Sequence, residues 1–374
     1  MKSTLLDVDL TGAFASDGTV GEEVQALPPV PLPVVLADDL FASPVAAITP
    51  GSGTMAGPVT VNLESSSIVE EQGTLPGIGD ILDKYRIDAE LGRGGFAVVY
   101  RATHLLMQTT VALKVLYPWM LSRHPDLAEQ LCEEAKFTSL VDHQNVVRVQ
   151  DVTSSREATF IVMEFIDGPS LARVIARKPM SCANVIKIGI HIANGLKAAQ
   201  TQGLIHRDIK PGNILLARTG HPKIVDFGLA RRHGRDVTES DRRIAGTPAY
   251  LAPEQARDPV GTDFRADIYA LGATLYHAAV GRPPFLGSDP ISLINDHLNQ
   301  VPPHPAMEVE DFDPGLAELL LMMLEKDPAR RPSSYDDLIA RLMGLHRRST
   351  SPIPSHEASS SKTFMRRMRG LFRE

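Results

Sequence analysis

The segment Leu204-Ile-His-Arg-Asp-Ile-Lys-Pro-Gly-Asn-Ile-Leu-Leu216 constrains this chain more than any other, because it sets five polar or charged side chains between two apolar runs. Burying such a cluster costs several kcal/mol for each uncompensated charge, so the groups need partners or a task. Eighteen residues after Asp208, the run Ile224-Val-Asp-Phe-Gly228 puts another carboxylate, Asp226, at the end of an apolar strand.

Upstream of these loops the chain reads as strands. Tyr85–Leu91 alternates apolar and polar residues, a glycine cluster turns the chain, and Ala97–Ala102 and Thr110–Leu116 continue the β pattern. A helix is expected over about Asp126 to Leu140, with Leu127, Leu131, Ala135 and Thr138 on one face, and a buried strand over Thr159–Phe165. After Gly168 long helical periods take over, at Ala183–Gln200 and Asp267–Val280. Strands followed by helices imply an α+β architecture in two lobes with a hinge at 164–170. The expected body is 85–343, divided into a small lobe, 85–166, and a large lobe, 167–343.

The flanks differ from the body. Residues 1–84 carry 2 basic and 12 acidic side chains, and the first 80 hold eight prolines, nine glycines and two aromatics. Such a segment buries too little surface to offset its ordering entropy, so an acidic, disordered tail is expected. Residues 344–374 carry 7 basic and 2 acidic side chains: a Ser/Pro linker, then Phe364, Met368, Leu371 and Phe372 on one helical face opposite arginines. That end suits an interfacial membrane helix or a partner-binding helix, and equally an ordinary tail helix. The body, with a net charge of −2, does not read as a nucleic-acid binder. Cys132 and Cys182 offer neither a disulfide framework nor metal-ligand spacing. No secretory leader and no uncharged apolar run of about 18 residues is seen, so a cytoplasmic protein without a transmembrane segment is expected, with peripheral membrane contact open to 362–374.

Chemistry enters with the glycines of Leu91-Gly-Arg-Gly-Gly-Phe-Ala-Val-Val99, which let backbone N–H groups approach phosphate oxygens, although such a hairpin alone is also a plain turn. A strand follows rather than a helix, against a Rossmann turn, and no GxxxxGK[ST] string occurs. Fifteen residues after Val99, Lys114 sits inside an apolar strand, where it needs an anion unless it lies at an edge facing water. On the next helix Glu134 shares a face with Leu131 and Thr138 and is the better partner, while Glu133 is expected to face solvent. Asn213 and Asp226 are oxygen ligands suited to Mg²⁺ held through phosphates and water. Asp208 is left to accept a hydroxyl proton, and Lys210 to screen charge on a transferring phosphate.

With these residues in place, 85–343 resembles the eukaryotic-type (Hanks-type) protein serine/threonine kinase domain, in the variety widespread in bacteria. The matching strings are GRGGFAVVY, VALK, HRDIKPGN, DFG, GTPAYLAPE, DIYALG and DPARRP, covering about 260 of 374 residues. The resemblance implies an antiparallel sheet in the small lobe and a mainly helical large lobe. It also implies transfer of the γ-phosphate of ATP, with Mg²⁺ or Mn²⁺, to Ser/Thr hydroxyls of protein substrates in intracellular signalling. Leu91, Val99, Ala112 and Leu215 would line the adenine pocket, with Met163 as gatekeeper and Glu164 to Ile166 at the hinge. Gly92, Gly94 and the backbone near Phe96 would cover the phosphates, and Lys114 would hold two of them while pairing with Glu134. Asp208 would be the base, with Asn213 and Asp226 on the metal. Lys210 and Gly246-Thr247 imply serine/threonine specificity, Glu254 a pairing with Arg331, and Asp267 an anchor for the catalytic loop. Arg207 implies control by phosphorylation of the activation loop, with Thr238 and Ser240 as the candidate acceptors.

The chain departs from the family pattern at Ala97, the third glycine position, and at Thr138, which replaces an apolar side chain of the internal spine and implies an activator-dependent active state. Gly212 and Ser170 replace frequent acidic residues, which speaks against a strong arginine preference in substrates. Two rival readings are a pseudokinase scaffold, opposed by the presence of Lys114, Asp208 and Asp226, and a small-molecule kinase, opposed by the peptide shelf of GTPAYLAPE.

Overall fold

The computed structural model describes residues 75–123, 126–154, 158–227, 231–232, 246–287 and 289–350. The expectations for most of the acidic tail, for the 362–374 helix and for Thr238 and Ser240 lie outside those residues. In the small lobe β1 (Ile81–Leu82), β2 (Tyr85–Arg93), β3 (Ala97–His104), β4 (Thr110–Leu116), β5 (Val149–Ser154) and β6 (Thr159–Glu164) form one antiparallel sheet in the order β1-β2-β3-β4-β6-β5. Helices α1 (Pro118–Arg123) and α2 (Asp126–Ser139) follow β4. The large lobe opens with α3 (Leu171–Ile175), α4 (Cys182–Thr201), β7 (Leu204–Ile205), β8 (Ile214–Leu216), β9 (Pro222–Ile224) and β10 (Arg231–Arg232). It closes with α5 (Pro253–Arg257), α6 (Arg265–Val280), α7 (Pro290–Asn299), α8 (Pro305–Glu308), α9 (Pro314–Met323) and α10 (Tyr335–Thr350). The α+β, two-lobed expectation holds.

The alternation of β4 decides which way its lysine points. Val111, Leu113 and Val115 bury one face of the sheet with Tyr85, Ile87 and Phe160. The other face turns Leu116 towards Ile161 of β6 and Leu131 and Ala135 of α2. Successive side chains point to opposite faces, so Lys114 shares the face that meets α2.

In the large lobe α6 is buried on almost every side, and Ile268, Leu271 and Leu275 are fully buried, as a largely apolar helix must be. It ends at Gly281, whose φ of 90° is the left-handed cap that glycine adopts without a Cβ penalty. Gly189 of α4 lets Leu275 of α6 and Leu342 of α10 close over its Cα, because a Cβ there would meet both side chains.

Regular structure continues on both sides of 85–343. Leu75 already packs against the small-lobe core, and β1 pairs with β2. Helix α10 runs on to Thr350 because Leu345 is still buried in the large-lobe core.

The hinge loop runs beside β8: Leu216 N donates to Pro169 O at 2.9 Å and Arg218 N to Asp167 O at 3.0 Å. Between these bonds, a Cβ on Gly168 would stand 1.9 Å from the Leu216 carbonyl oxygen. Gly168→Ala is therefore expected to cost about 1–3 kcal/mol through backbone displacement. Thermal melting reads this, and an unchanged melt would mean that the loop moves aside freely.

Candidate active site

Strand β4 and helix α2 deliver the first constellation. Lys114 Nζ lies 2.8 and 2.9 Å from the two carboxylate oxygens of Glu134 and 2.7 Å from Oδ1 of Asp226, which follows β9. One ammonium thus joins both lobes. Glu134 is the buried acid of its pair, 8% exposed. Burial pushes the Glu134 carboxyl up and, with the negative charge of Asp226 added, outweighs the pull of Lys114. Burial works against ionisation of Asp226 too, but Lys114, with Lys210 and His206 behind it, holds that carboxyl below its usual range. For Lys114, two carboxylates outweigh burial and the ammonium is held charged.

The opposite shifts fix the signs of two pH effects. Glu134, raised above 4.5, favours the folded state when it takes up a proton; that contribution is complete below pH 4.5 and fades as pH rises through the folded value. Asp226, lowered below 3.8, contributes above pH 3.8 and loses its contribution as pH falls through the folded value. Glu134→Gln removes only the first. The melting temperature of the parent relative to this variant is therefore expected to fall as the buffer goes from pH 4 to 8; a rise would mean that attraction to Lys114 outweighs burial.

The second constellation sits on the loop between β7 and β8. Asp267 of α6 grips the main chain of this loop, accepting from His206 N and Arg207 N at 2.8 Å each. Gln255 Nε2 donates to Arg207 O at 3.0 Å, so Arg207 is held at φ 69°. Asp226 has φ 64°. Left-handed backbone at non-glycine residues persists only where the surroundings hold it.

Asp208 is reached by four donors. Lys210 Nζ lies 2.9 Å and Asn213 Nδ2 3.0 Å from Oδ2, while Thr247 N and Oγ1 lie 3.0 and 2.9 Å from Oδ1. Lys210 also donates to Thr247 Oγ1 at 2.7 Å. Asn213 spends its amide N–H groups on the carbonyl and carboxylate of Asp208, which leaves its Oδ1 for another ligand. The role of Thr247 as a tie to Asp208, 39 residues away, is not visible in sequence spacing.

The residues expected around the nucleotide base fall on the facing strands. Gly92 pairs across the sheet with Val99, Val99 with Lys114, and Ala112 with Met163. Leu215 on β8 bridges to Ser170 beside the hinge, and Ile166 is 9% exposed. Leu91, at 49%, stands at the rim. Gly94 N donates to Ala97 O at 2.8 Å to close the glycine turn, and Phe96 O accepts from Tyr117 N at 3.0 Å. The Glu164 side chain accepts from Arg148 N at 2.8 Å and pairs with Lys223 Nζ of β9 at 2.7 Å, both through Oε1, while its backbone N–H donates to Arg148 O at 3.0 Å. Sequence reasoning missed Lys223.

A family model described as the protein kinase domain matches residues 85–342. The chain belongs to the protein kinase domain family. Bacterial proteins are among its relatives. The serine/threonine-protein kinase pkn3 of Myxococcus xanthus is 35% identical over 293 residues, 74% of this chain and 53% of that protein. The serine/threonine-protein kinases PknB of Mycobacterium tuberculosis and Mycolicibacterium smegmatis are 34% and 32% identical over 272 and 291 residues, 71% and 76% of this chain but 43% and 46% of theirs. The chain thus spans about half the length of the curated relatives it matches. Membership carries the use of ATP and a divalent metal ion.

Other features of this kinase domain follow from its geometry. Arg331, 4% exposed, holds Glu254 through Nη2 at 2.8 Å. The rings of His206 and Phe227 meet with centroids 4.6 Å apart. Thr138, at the departing spine position, is 2% exposed and donates its hydroxyl to Glu134 O at 2.8 Å, so the polar group is satisfied within its own helix. Among the described residues no helix is long and apolar enough to cross a membrane.

Proposed function

We propose that this chain is a protein serine/threonine kinase that transfers the γ-phosphoryl group of Mg-ATP to hydroxyls of protein substrates. The observation that carries this reading is the Asp208–Lys210–Thr247 network beside Asn213 and Asp226. Asp208 receives the proton of the attacking hydroxyl, whose oxygen bonds to the γ-phosphorus as the bond to the β-phosphate oxygen breaks and ADP leaves. Lys210 screens the negative charge on the moving phosphoryl group. Lys114, fixed by Glu134, serves the α- and β-phosphates, and the glycine turn covers them with N–H groups. Leu91, Val99, Ala112, Met163 and Leu215 enclose the base, with the hinge backbone of Glu164 and Ile166 at its edge.

The donor set suits Mg²⁺, and Mn²⁺ as a substitute: Asn213 has an uncommitted amide oxygen, and Asp226 has its second carboxylate oxygen beyond the one held by Lys114. Such an ion, when bound, neutralises charge on the phosphate oxygens. The tie from Lys210 through Thr247 to Asp208 supports serine/threonine acceptors in intracellular signalling. Arg207 supports control by phosphorylation at Thr238 or Ser240, to be read by phosphopeptide mapping of active enzyme. The test of the whole reading is incubation of the full chain with labelled ATP, Mg²⁺ and a generic acceptor protein. Transfer to serine and threonine is expected; nucleotide binding without transfer to any acceptor would sink the proposal in favour of a scaffold, and transfer to small acceptors alone in favour of a small-molecule kinase.

A further inference from the structure

The substrate class can be taken further, on the reading just proposed. An acceptor hydroxyl must come to Asp208, and the segment flanking that carboxylate is Thr247–Leu251, turned by a 3₁₀ turn at Pro248–Tyr250. Tyr250 lies about 6 Å beyond Thr247 at roughly 2 Å of rise per residue, so a peptide passing over Asp208 also passes Tyr250. The Tyr250 hydroxyl is 2.7 Å from Nδ1 of His277 on α6, and the two rings lie 13° from parallel.

The direction of that bond decides what the shelf offers. A phenol is the better proton donor of the two and a neutral imidazole nitrogen the better acceptor. A separation of 2.7 Å matches a hydroxyl-donated bond rather than the usual 2.9–3.0 Å of a ring N–H bond. Burial holds the His277 imidazole below its usual range, and no charged neighbour counters it, so the ring is neutral near pH 7. With Nδ1 accepting, the proton of the neutral ring sits on Nε2. Among the described residues Tyr250 is the one side chain bonded to this ring, which leaves the Nε2–H for an incoming acceptor.

A cation would find no such welcome. Asp208 is engaged by Lys210, Glu254 by Arg331 and Glu308 by Arg282. Gly212 and Ser170 carry no charge. We infer that His277 determines substrate specificity: its Nε2–H selects a carboxylate or amide side chain near the phosphoacceptor and gives arginine and lysine no anchor.

The full chain with Mg-ATP is offered serine peptides in which each flanking position is varied in turn, and labelled phosphate is counted. At one position Asp, Glu, Asn and Gln are expected to be phosphorylated faster than Lys and Arg by roughly 3- to 10-fold, the worth of one hydrogen bond. His277→Glu shifts the preference at that position to Arg and Lys. Tyr250→Phe, which keeps the ring and removes the donor, flattens it. The parent protein alone reads the preference, so a variant that fails to fold does not remove the test. Equal transfer to all side chains, or a parent preference for Arg, overturns this inference and leaves the kinase reading standing; no transfer to any peptide or to a generic protein overturns both.

Discussion

Asp208→Asn is expected to leave a folded protein that still binds nucleotide but transfers phosphoryl groups about 10³- to 10⁴-fold more slowly. General-base catalysis is worth roughly 10²–10⁴ in rate, and in this site the same carboxylate also positions the acceptor side through Thr247. An asparagine has one acceptor oxygen for the four donors now shared between Oδ1 and Oδ2. Whichever way its amide turns, an NH₂ group meets Lys210 and Asn213 or meets Thr247. The stability loss should be about 1–3 kcal/mol, well short of unfolding. The nucleotide contacts proposed for Lys114, Asn213 and Asp226 are untouched, so ADP affinity is expected to stay within a few-fold. Turnover within tenfold of the parent would show that the base has been misplaced.

Lys114→Met has the second largest effect, and it falls on two observables. The ammonium is the counter-charge that Glu134 and Asp226 share. Its loss leaves two carboxylates facing each other in a buried site, and breaking a buried pair from one side costs about 3–5 kcal/mol. Both carboxyls then rise above their free values, so the stability they retain is complete under acid conditions and is lost as pH rises. The melting-temperature gap between parent and variant is expected to be widest near neutrality and to narrow below about pH 4, where free carboxyls protonate. Transfer falls by roughly 10²–10³, the typical cost of removing one preorganised charge donor. A gap that stays constant from pH 4 to 8 would show that the two acids do not depend on this lysine for charge balance.

The strings that carry buried charge were legible because burying charge is costly enough to leave a pattern. A charged cluster between apolar runs, as in Leu204–Leu216, has few structural excuses, and helical period alone distinguishes Glu134 from Glu133. What could not be read was how the site is tied together across the chain. The bonds from Thr247 to Asp208 and from Lys223 to Glu164 join residues 39 and 59 positions apart. Neither Thr247 nor Lys223 lies in a sequence context that makes its partner necessary. The packing at the body's ends is hidden for a related reason: Leu75 and Leu345 touch the core through contacts that single apolar residues in polar stretches do not announce. Thr138 looked like a defect in an apolar spine, yet its hydroxyl finds a carbonyl four residues back, an exchange that residue type alone does not disclose.

Glu164 holds Lys223 across the joint between the lobes, and Lys223 lies three residues before Asp226, which stands just past the end of β9. A tilt of the small lobe would therefore be passed, through that short stretch of chain, to the carboxylate proposed to serve the phosphates. Closing the cleft and aiming that oxygen would then be one stroke, and a change that loosens the joint is expected to be felt as slack in the jaw.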